Sequence, residues 1–273
     1  MTHWGTNTYL VGENEVAVID PGPNNPGHLA AILDAAGGSR VTRILITHAH
    51  RDHTGLASEL QKATGAPILG FGGPEIGRSP AMQALAADGL GAGIDGVDLT
   101  FRPDETLCEG QTLKVEESEL QVIHMPGHSA GHLGFRLGSS LFSGDHAMDW
   151  ATTVIAPPDG DLTAFMATTQ RLCDMDLDVL WPGHGETITR PTARLQALLA
   201  HRRKREAEIL AALHKGHHTV DAITAHVYRD LASHLLPAAA FNVLAHLIDL
   251  THRNLISPRP RLSRDARFEA TSR

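Results

Sequence analysis

Thr47-His48-Ala49-His50-Arg51-Asp52-His53 follows an apolar, β-branched run, Val41-Thr42-Arg43-Ile44-Leu45-Ile46, and precedes a segment of helical character. Three histidines and an aspartate within six positions offer imidazole and carboxylate donors. These are the ligands of a divalent transition metal, most often zinc. His48 and His50 are two apart, a spacing that does not place two side chains on one helix face. They must converge from a strand end or a tight loop. A solvated polar loop in a chain with 18 histidines is the plain alternative, and the cluster alone does not decide between the two.

The same grammar recurs downstream: an apolar run, then Gly or Pro, then His or Asp. Leu120 to His124 leads into Pro126-Gly127-His128. Ser140 to Phe142 leads into Ser143-Gly144-Asp145-His146, and Asp178 to Trp181 into Pro182-Gly183-His184-Gly185. Turn residues at strand ends expose the side chain that follows and let it be aimed. His128, Asp145 and His184 can thus meet the first cluster at one site. Asp20 closes the run Val16-Ala17-Val18-Ile19 ahead of Pro21-Gly22-Pro23. Strands are expected at 6–11 and 16–19 as a hairpin, and at 66–70, 99–101, 112–115 and 133–137. Helices are expected at 27–36, at 54–63, and at 162–175 with Asp161 as N-cap. Residues 71–96 carry one helix, at 81–87, and otherwise read as surface loop.

Helical periodicity then takes over at 192–215, 220–228 and 238–253. Pro191 suits the first turn of the long helix. A terminal hairpin over 256–268 completes the pattern of a winged-helix module. The chain therefore divides into a large domain, 1–200, and a small mostly α module, 201–273. The third helix, Phe241-Asn-Val-Leu-Ala-His-Leu-Ile-Asp-Leu250, has almost no positive charge, which argues against sequence-specific DNA readout in a major groove. Arg202-Arg203-Lys204-Arg205 would suit phosphates, but Glu206 and Glu208 beside it make intrahelical pairs an equal account. A wall of the substrate cleft or a homodimer contact explains the module without nucleic acid.

Composition bounds the rest. With 273 residues, 42% of them hydrophobic, the chain can bury one large core and a small one. No export signal and no apolar run of membrane-spanning length is read, so a soluble, cytoplasmic protein is expected. Cys108 and Cys173 are too few for a disulfide framework or a thiolate zinc site. No Gly-x-Ser-x-Gly elbow supports a serine nucleophile. Residues 201–273 hold 12 Lys and Arg against 7 Asp and Glu, whereas residues 1–200 hold 11 against 24. A basic tail on an acidic body fits an anionic partner or simple solubility. Aromatics, at 4% of residues, leave little for base stacking.

Thr-His-Ala-His-Arg-Asp-His-Thr-Gly at 47–55 resembles the His-x-His-x-Asp-His signature of the metallo-β-lactamase superfamily, with Asp20, His128, Asp145 and His184 in that superfamily's order. Gly5-Thr-Asn-Thr-Tyr-Leu-Val-Gly12, Phe142-Ser-Gly-Asp145, Trp181-Pro-Gly-His-Gly185 and His201-Arg-x-x-Arg-Glu206 are similar to the β-lactamase-like protein 2 group. That group also carries a C-terminal winged-helix-like domain, and its animal members cut single-stranded RNA. The resemblance implies an α/β fold, a four-layer αββα sandwich. It implies two Zn2+, with iron or manganese as alternatives. His48, His50 and His128 would hold one ion, Asp52, His53 and His184 the other, and Asp145 would bridge. Asp52 and Asp145 would then serve catalysis by a metal-bridging hydroxide. Asp20, His132 and His146 are candidates for supporting the ligands or touching substrate. Small-molecule esters, thioesters and lactones are the expected substrates, with endonucleolytic cleavage of single-stranded RNA as the alternative. Asp145 stands where some true β-lactamases place cysteine in their second metal site, so antibiotic hydrolysis is disfavoured.

Overall fold

A computed structural model describes residues 4–91 and 96–271. The first sheet runs β1 (Tyr9–Val11), β2 (Glu15–Ile19), β3 (Arg40–Leu45), β4 (Ile68–Gly70) and β5 (Glu105–Thr106), in that spatial order. β1 is antiparallel to β2, and the other neighbours are parallel. The second sheet contains β6 (Thr112–Val115), β7 (Ser118–His124), β8 (Leu133–Leu137), β9 (Ser140–Gly144) and β10 (Val179–Pro182). Its β7–β8 and β8–β9 steps are antiparallel and β10 lies parallel to β9. β7, β9 and β10 therefore point the same way and end at one edge.

Alternation along the strands builds the layers. Ala17, Ile19 and Leu45 face Leu120, Val122, Leu133 and Phe135 between the sheets, and every one of these is at most 1% exposed. The opposite face of the first sheet, Val18, Ile44 and Ile46, packs on α1 (Pro26–Ala36) and α3 (Ala57–Thr64). The opposite face of the second, Ile123, Leu141 and Leu180, packs on α5 (Leu162–Cys173) and the first half of α6 (Pro191–His214). Two sheets between two helical layers give the expected αββα sandwich.

The ends of α6 belong to different cores. Leu195 and Leu198 serve the sandwich, while Ile209, Ala212 and Leu213 pack with α7 (Val220–Val227), α8 (Leu236–His252) and the hairpin β11 (Ile256–Arg259)–β12 (Arg267–Ala270). Residue 200 thus lies inside a continuous helix. The module also takes in Met82 and Leu85 of α4 (Pro80–Ala87), a helix of the sandwich half.

Local readings differ at three places. Residues 99–101 form a turn instead of a strand, because Asp98 Oδ1 accepts the backbone N–H and hydroxyl of Thr100 and competes with strand pairing. The short edge strand is β5. The helix expected at 54–63 is two: α2 (Arg51–Thr54) begins inside the histidine cluster, and α3 follows after a break at Gly55-Leu56. Ser233–His252 is long and apolar enough to cross a membrane by length and composition, contrary to the sequence expectation. More than half of it is buried as the central helix of the module. Of the loop expected over 71–96, residues 92–95 lie outside the described residues.

Candidate metal centre

His48 follows β3, and the backbone then turns so that His50 caps α2 in extended conformation. Its carbonyl accepts the N–H groups of His53 and Thr54, which sets Asp52 and His53 on the first helical turn. His128, Asp145 and His184 follow β7, β9 and β10, the three strands that end at one edge. Gly144 precedes Asp145 at φ 48°, where a Cβ would lie 2.8 Å from His132 Nε2. Only glycine brings the β9 end that close.

His48 Nε2 lies 3.0 Å from His50 Nδ1, and His128 Nε2 lies 3.2 Å from the same atom. Asp52 Oδ2 is 3.2 Å from His184 Nε2 and 3.8 Å from His53 Nε2. Asp145 stands between the groups: Oδ1 is 3.4 Å from His184 Nε2 and 3.5 Å from His53 Nε2, and Oδ2 is 3.9 Å from His128 Nε2. Three sets of donor atoms, His48-His50-His128, His48-His53-Asp145 and Asp52-His53-His184, each lie within 4.8 Å of one another.

The far side of four of the five rings is tied down, which sets the nitrogen that faces the cluster. His53 Nδ1 donates to Asp20 Oδ2, His128 Nδ1 to the Val154 carbonyl and His184 Nδ1 to the Gly5 carbonyl, each at 2.8 Å. Thr47 gives its hydroxyl proton to Asp20 Oδ2 at 2.7 Å, so it accepts from His48 Nδ1 at 3.0 Å. In the neutral rings that ligate a metal, the Nε2 atoms of these four would carry the lone pairs, all aimed into one space. His53 Nε2 and Asp145 Oδ1 are buried without a hydrogen-bond partner. Converging imidazole lone pairs, two carboxylates and orphaned buried atoms fit transition-metal ions.

Electrostatics agree. Burial, reinforced by the neighbouring imidazoles, holds His48 well below the usual imidazole range and His50 at about 3. Burial also opposes charge on Asp52 and Asp145, yet His53 and His184 hold both carboxyls down, Asp52 at about 2. Burial opposes charge on His53 and His184 too. Asp20 and Asp145 outweigh it at His53, and Asp145 and Asp52 lift His184 to about 10. Without an ion, protons balance the carboxylates, and a metal would displace them.

The supporting candidates separate. Asp20 takes Thr47 N–H, Thr47 hydroxyl and His53 Nδ1–H, all within 2.8 Å. His132 Nε2 accepts the Asp145 N–H at 3.1 Å and its ring stacks on His48. His146 turns away: it bonds Thr169 Oγ1 at 2.9 Å and stacks on Phe165. It lies outside the cleft, so a substrate contact is excluded by its burial. Thr47, Gly5 and Val154 carried no sequence signal as ligand supports, because two of them act through backbone carbonyls.

The cluster opens into a cleft of about 840 Å³. Met148, Trp150 and Val154 form one side; Tyr228, Leu231, Leu235 and Ala238 of the C-terminal module form the other. Apart from Asp52 and Asp145, no carboxylate among the described residues lines it, whereas Arg51, Arg202 and Arg205 do.

The sequence profile of the metallo-beta-lactamase superfamily matches residues 1–186. The chain belongs to the metallo-beta-lactamase superfamily. It is a metal-dependent hydrolase. The profile of the beta-lactamase associated winged helix domain matches residues 219–259. A beta-lactamase-like protein 2 homolog of Caenorhabditis elegans is 31% identical over 251 residues, 88% of this chain and 76% of that protein. An atrochrysone carboxyl ACP thioesterase of Passalora fulva is 28% identical over 220 residues, 78% of this chain and 58% of the thioesterase. Among solved structures, a metallo-beta-lactamase family protein from Thermus thermophilus shares the whole architecture, with TM-score 0.78 and 25% identity over 97% of this chain and 94% of that one. A structure in a di-iron-bound form matches 71% of this chain and 92% of its own, with TM-score 0.52 and 29% identity.

Proposed function

We propose that this hydrolase is binuclear and cleaves a small-molecule ester, thioester or lactone. The cleft beside the cluster carries the reading. Its volume lies in the range of small-ligand sites, roughly 300–1,000 Å³, which are mostly apolar with a few placed polar groups. An extended groove for single-stranded RNA needs stacking surfaces and an unneutralised basic track. Here the Tyr228 face is covered by Arg205 at 4.4 Å. Four tail arginines face carboxylates of the chain itself: Arg253 with Glu206, Arg259 with Glu269, Arg261 with Asp88, and Arg264 with Asp221. The likeness to an acyl-carrier thioesterase supports the thioester arm.

His48, His50 and His128 would hold one ion, Asp52, His53 and His184 a second, and Asp145 would reach both. Zinc suits the imidazole-rich set, with iron or manganese as alternatives. When bound, two such ions supply an acidified water and positive charge for the developing oxyanion. Asp52, the more exposed of the two carboxylates and one that lines the cleft, is placed to take the proton released in attack. Arg51, which lines the cleft, favours a substrate with a negative group. Met148, Trp150, Leu231 and Leu235 exclude water from its apolar part.

Purified protein with zinc is assayed on thioester and lactone panels and on single-stranded RNA, beside Asp145→Ala. Thioester or lactone turnover lost in the variant is the expected result. RNA cleavage lost in the variant, with no turnover of the small substrates, would replace this reading with the nuclease alternative.

A further inference from the structure

Arg202 on α6 is buried, at 2% exposure, and no carboxylate among the described residues pairs with it. Its neighbours Lys204 and Arg205 take Glu208 instead. A buried guanidinium without a counter-charge opposes stability, since desolvation is costly and only hydrogen bonds offset it. The bonds it makes are specific. Nη2 donates to the Thr153 carbonyl, and Nη1 donates to Asn242 Oδ1 of α8 at 2.9 Å. The same Asn242 oxygen accepts the Ile155 N–H at 3.2 Å. Phe165, buried beneath the guanidinium at 5.2 Å, gives it an aromatic face.

Arg202, donating to Thr153, and Asn242, accepting from Ile155, thus hold one short segment, 153–155, by its two ends. That segment has one polar client in the metal centre. The Val154 carbonyl takes His128 Nδ1–H at 2.8 Å, and Thr153 Oγ1 lies 3.2 Å from the same nitrogen. His128 comes from the loop after β7, and no other element among the described residues holds its far nitrogen. The segment itself has no regular structure of its own. Its position therefore depends on α6 and α8.

We infer that Arg202 and Asn242 are positioning residues for the metal ligand His128, through which the C-terminal module sets the affinity of the His48-His50-His128 ion. This rests on the binuclear reading above. A ring whose far nitrogen loses its acceptor samples other orientations and tautomers, and removal of such supports typically weakens a metal by roughly 10–100-fold.

The test measures zinc binding and apo-protein melting in Arg202→Met, Asn242→Leu and Arg253→Met. Arg253 also joins α6 to α8, through Glu206 and Asp249, but makes no bond to 153–155. Zinc is titrated into chelator-stripped protein against a chromophoric competitor. The expected result is a roughly 10–100-fold loss at one of two sites in Arg202→Met and in Asn242→Leu. Arg253→Met keeps both affinities while its melting temperature falls. Wild-type affinity at both sites in a folded Arg202→Met or Asn242→Leu would overturn the inference. So would a loss in Arg253→Met equal to theirs, which would assign the effect to general loosening of the module. A wild-type protein that binds a single zinc would refute the binuclear reading. The inference would then be judged on that ion alone.

Discussion

Replacing Asp20 with asparagine isolates one support of the metal centre. Asp20 sits at φ 48°, a backbone region asparagine tolerates, so the change adds no strain that alanine would bring. The carboxylate is 2% exposed and accepts three hydrogen bonds, from Thr47 N–H, Thr47 hydroxyl and His53 Nδ1–H. The amide keeps one oxygen, enough for Thr47 N–H. Its NH2 meets Thr47 Oγ1, which can turn and accept, and His53 Nδ1, which cannot go on donating. Either His53 is left with an unmet buried donor, at about 1–3 kcal/mol, or it takes the other tautomer. In the other tautomer the neutral ring keeps its proton on Nε2, the atom aimed at the cluster, instead of on Nδ1, so ligation by His53 needs a further ring rearrangement. The charge-assisted bond adds to the loss, so about 2–3 kcal/mol of apo stability is expected, or a melting temperature lower by roughly 4–12 °C. Zinc affinity should fall by roughly 10–100-fold at the Asp52-His53-His184 site. Thermal melting of stripped protein and a competition titration with zinc measure the two effects. Wild-type melting together with wild-type affinity at both sites would show that Asp20 does not hold His53.

Gly183→Ala places a Cβ about 2.5 Å from Asp145 Oδ1 and 2.8 Å from His53 Cε1, so metal content measured by elemental analysis should drop below the wild-type value. Glu116 accepts the N–H groups of Glu13, Asn14 and Glu15, which hold its carboxyl at about 2, below the ordinary 4.5. A depressed folded value gives stability that is complete above the unfolded value and disappears as pH falls through the folded one. The melting difference between wild type and Glu116→Gln should therefore be full at about pH 6 and shrink from pH 4.5 towards 2. Met82→Ala removes a side chain that is 3% exposed in the module's core and should cost about 2–5 kcal/mol. Hydrogen exchange should then quicken in α7 and α8 more than in β2 and β3, which checks that α4 belongs energetically to the module.

The candidate metal cluster was legible because its donor residues obey a local rule. Each lies just past an apolar run and a turn residue, so strand ends could be read one at a time, and the parallel course of β7, β9 and β10 brings three of them to one edge. The supports were partly legible. Asp20 carries a side chain that announces an acceptor, but the Gly5 and Val154 carbonyls are backbone atoms that any residue supplies. His146 misled because adjacency to Asp145 in sequence says little when the next side chain points to the other face of the strand end. Residues 99–101 misled because an apolar pair beside Asp98 looks like a strand until the aspartate takes the backbone for itself. Arg202 was unreadable for the opposite reason. It sits in a run of four basic residues that looks like a solvated face, yet helical geometry turns it inward while Lys204 stays outside.

The division of labour between the halves follows from which elements are shared. All seven donors come from the sandwich, and that edge of the sheets would be open to solvent by itself. The module closes it: Tyr228, Leu231, Leu235 and Ala238 face the cluster across the cleft. They can do so only because α6 runs unbroken from one core to the other and α4 is clasped in the module. A wall that is helical, apolar and built from a separate stretch of sequence can change without disturbing the ligands. On the function proposed above, substrate choice would fall to the module's inner face and bond cleavage to the sheet ends. The Arg202–Asn242 clamp is the point where the two are not independent, since the same α8 that lines the cleft also steadies the loop behind His128.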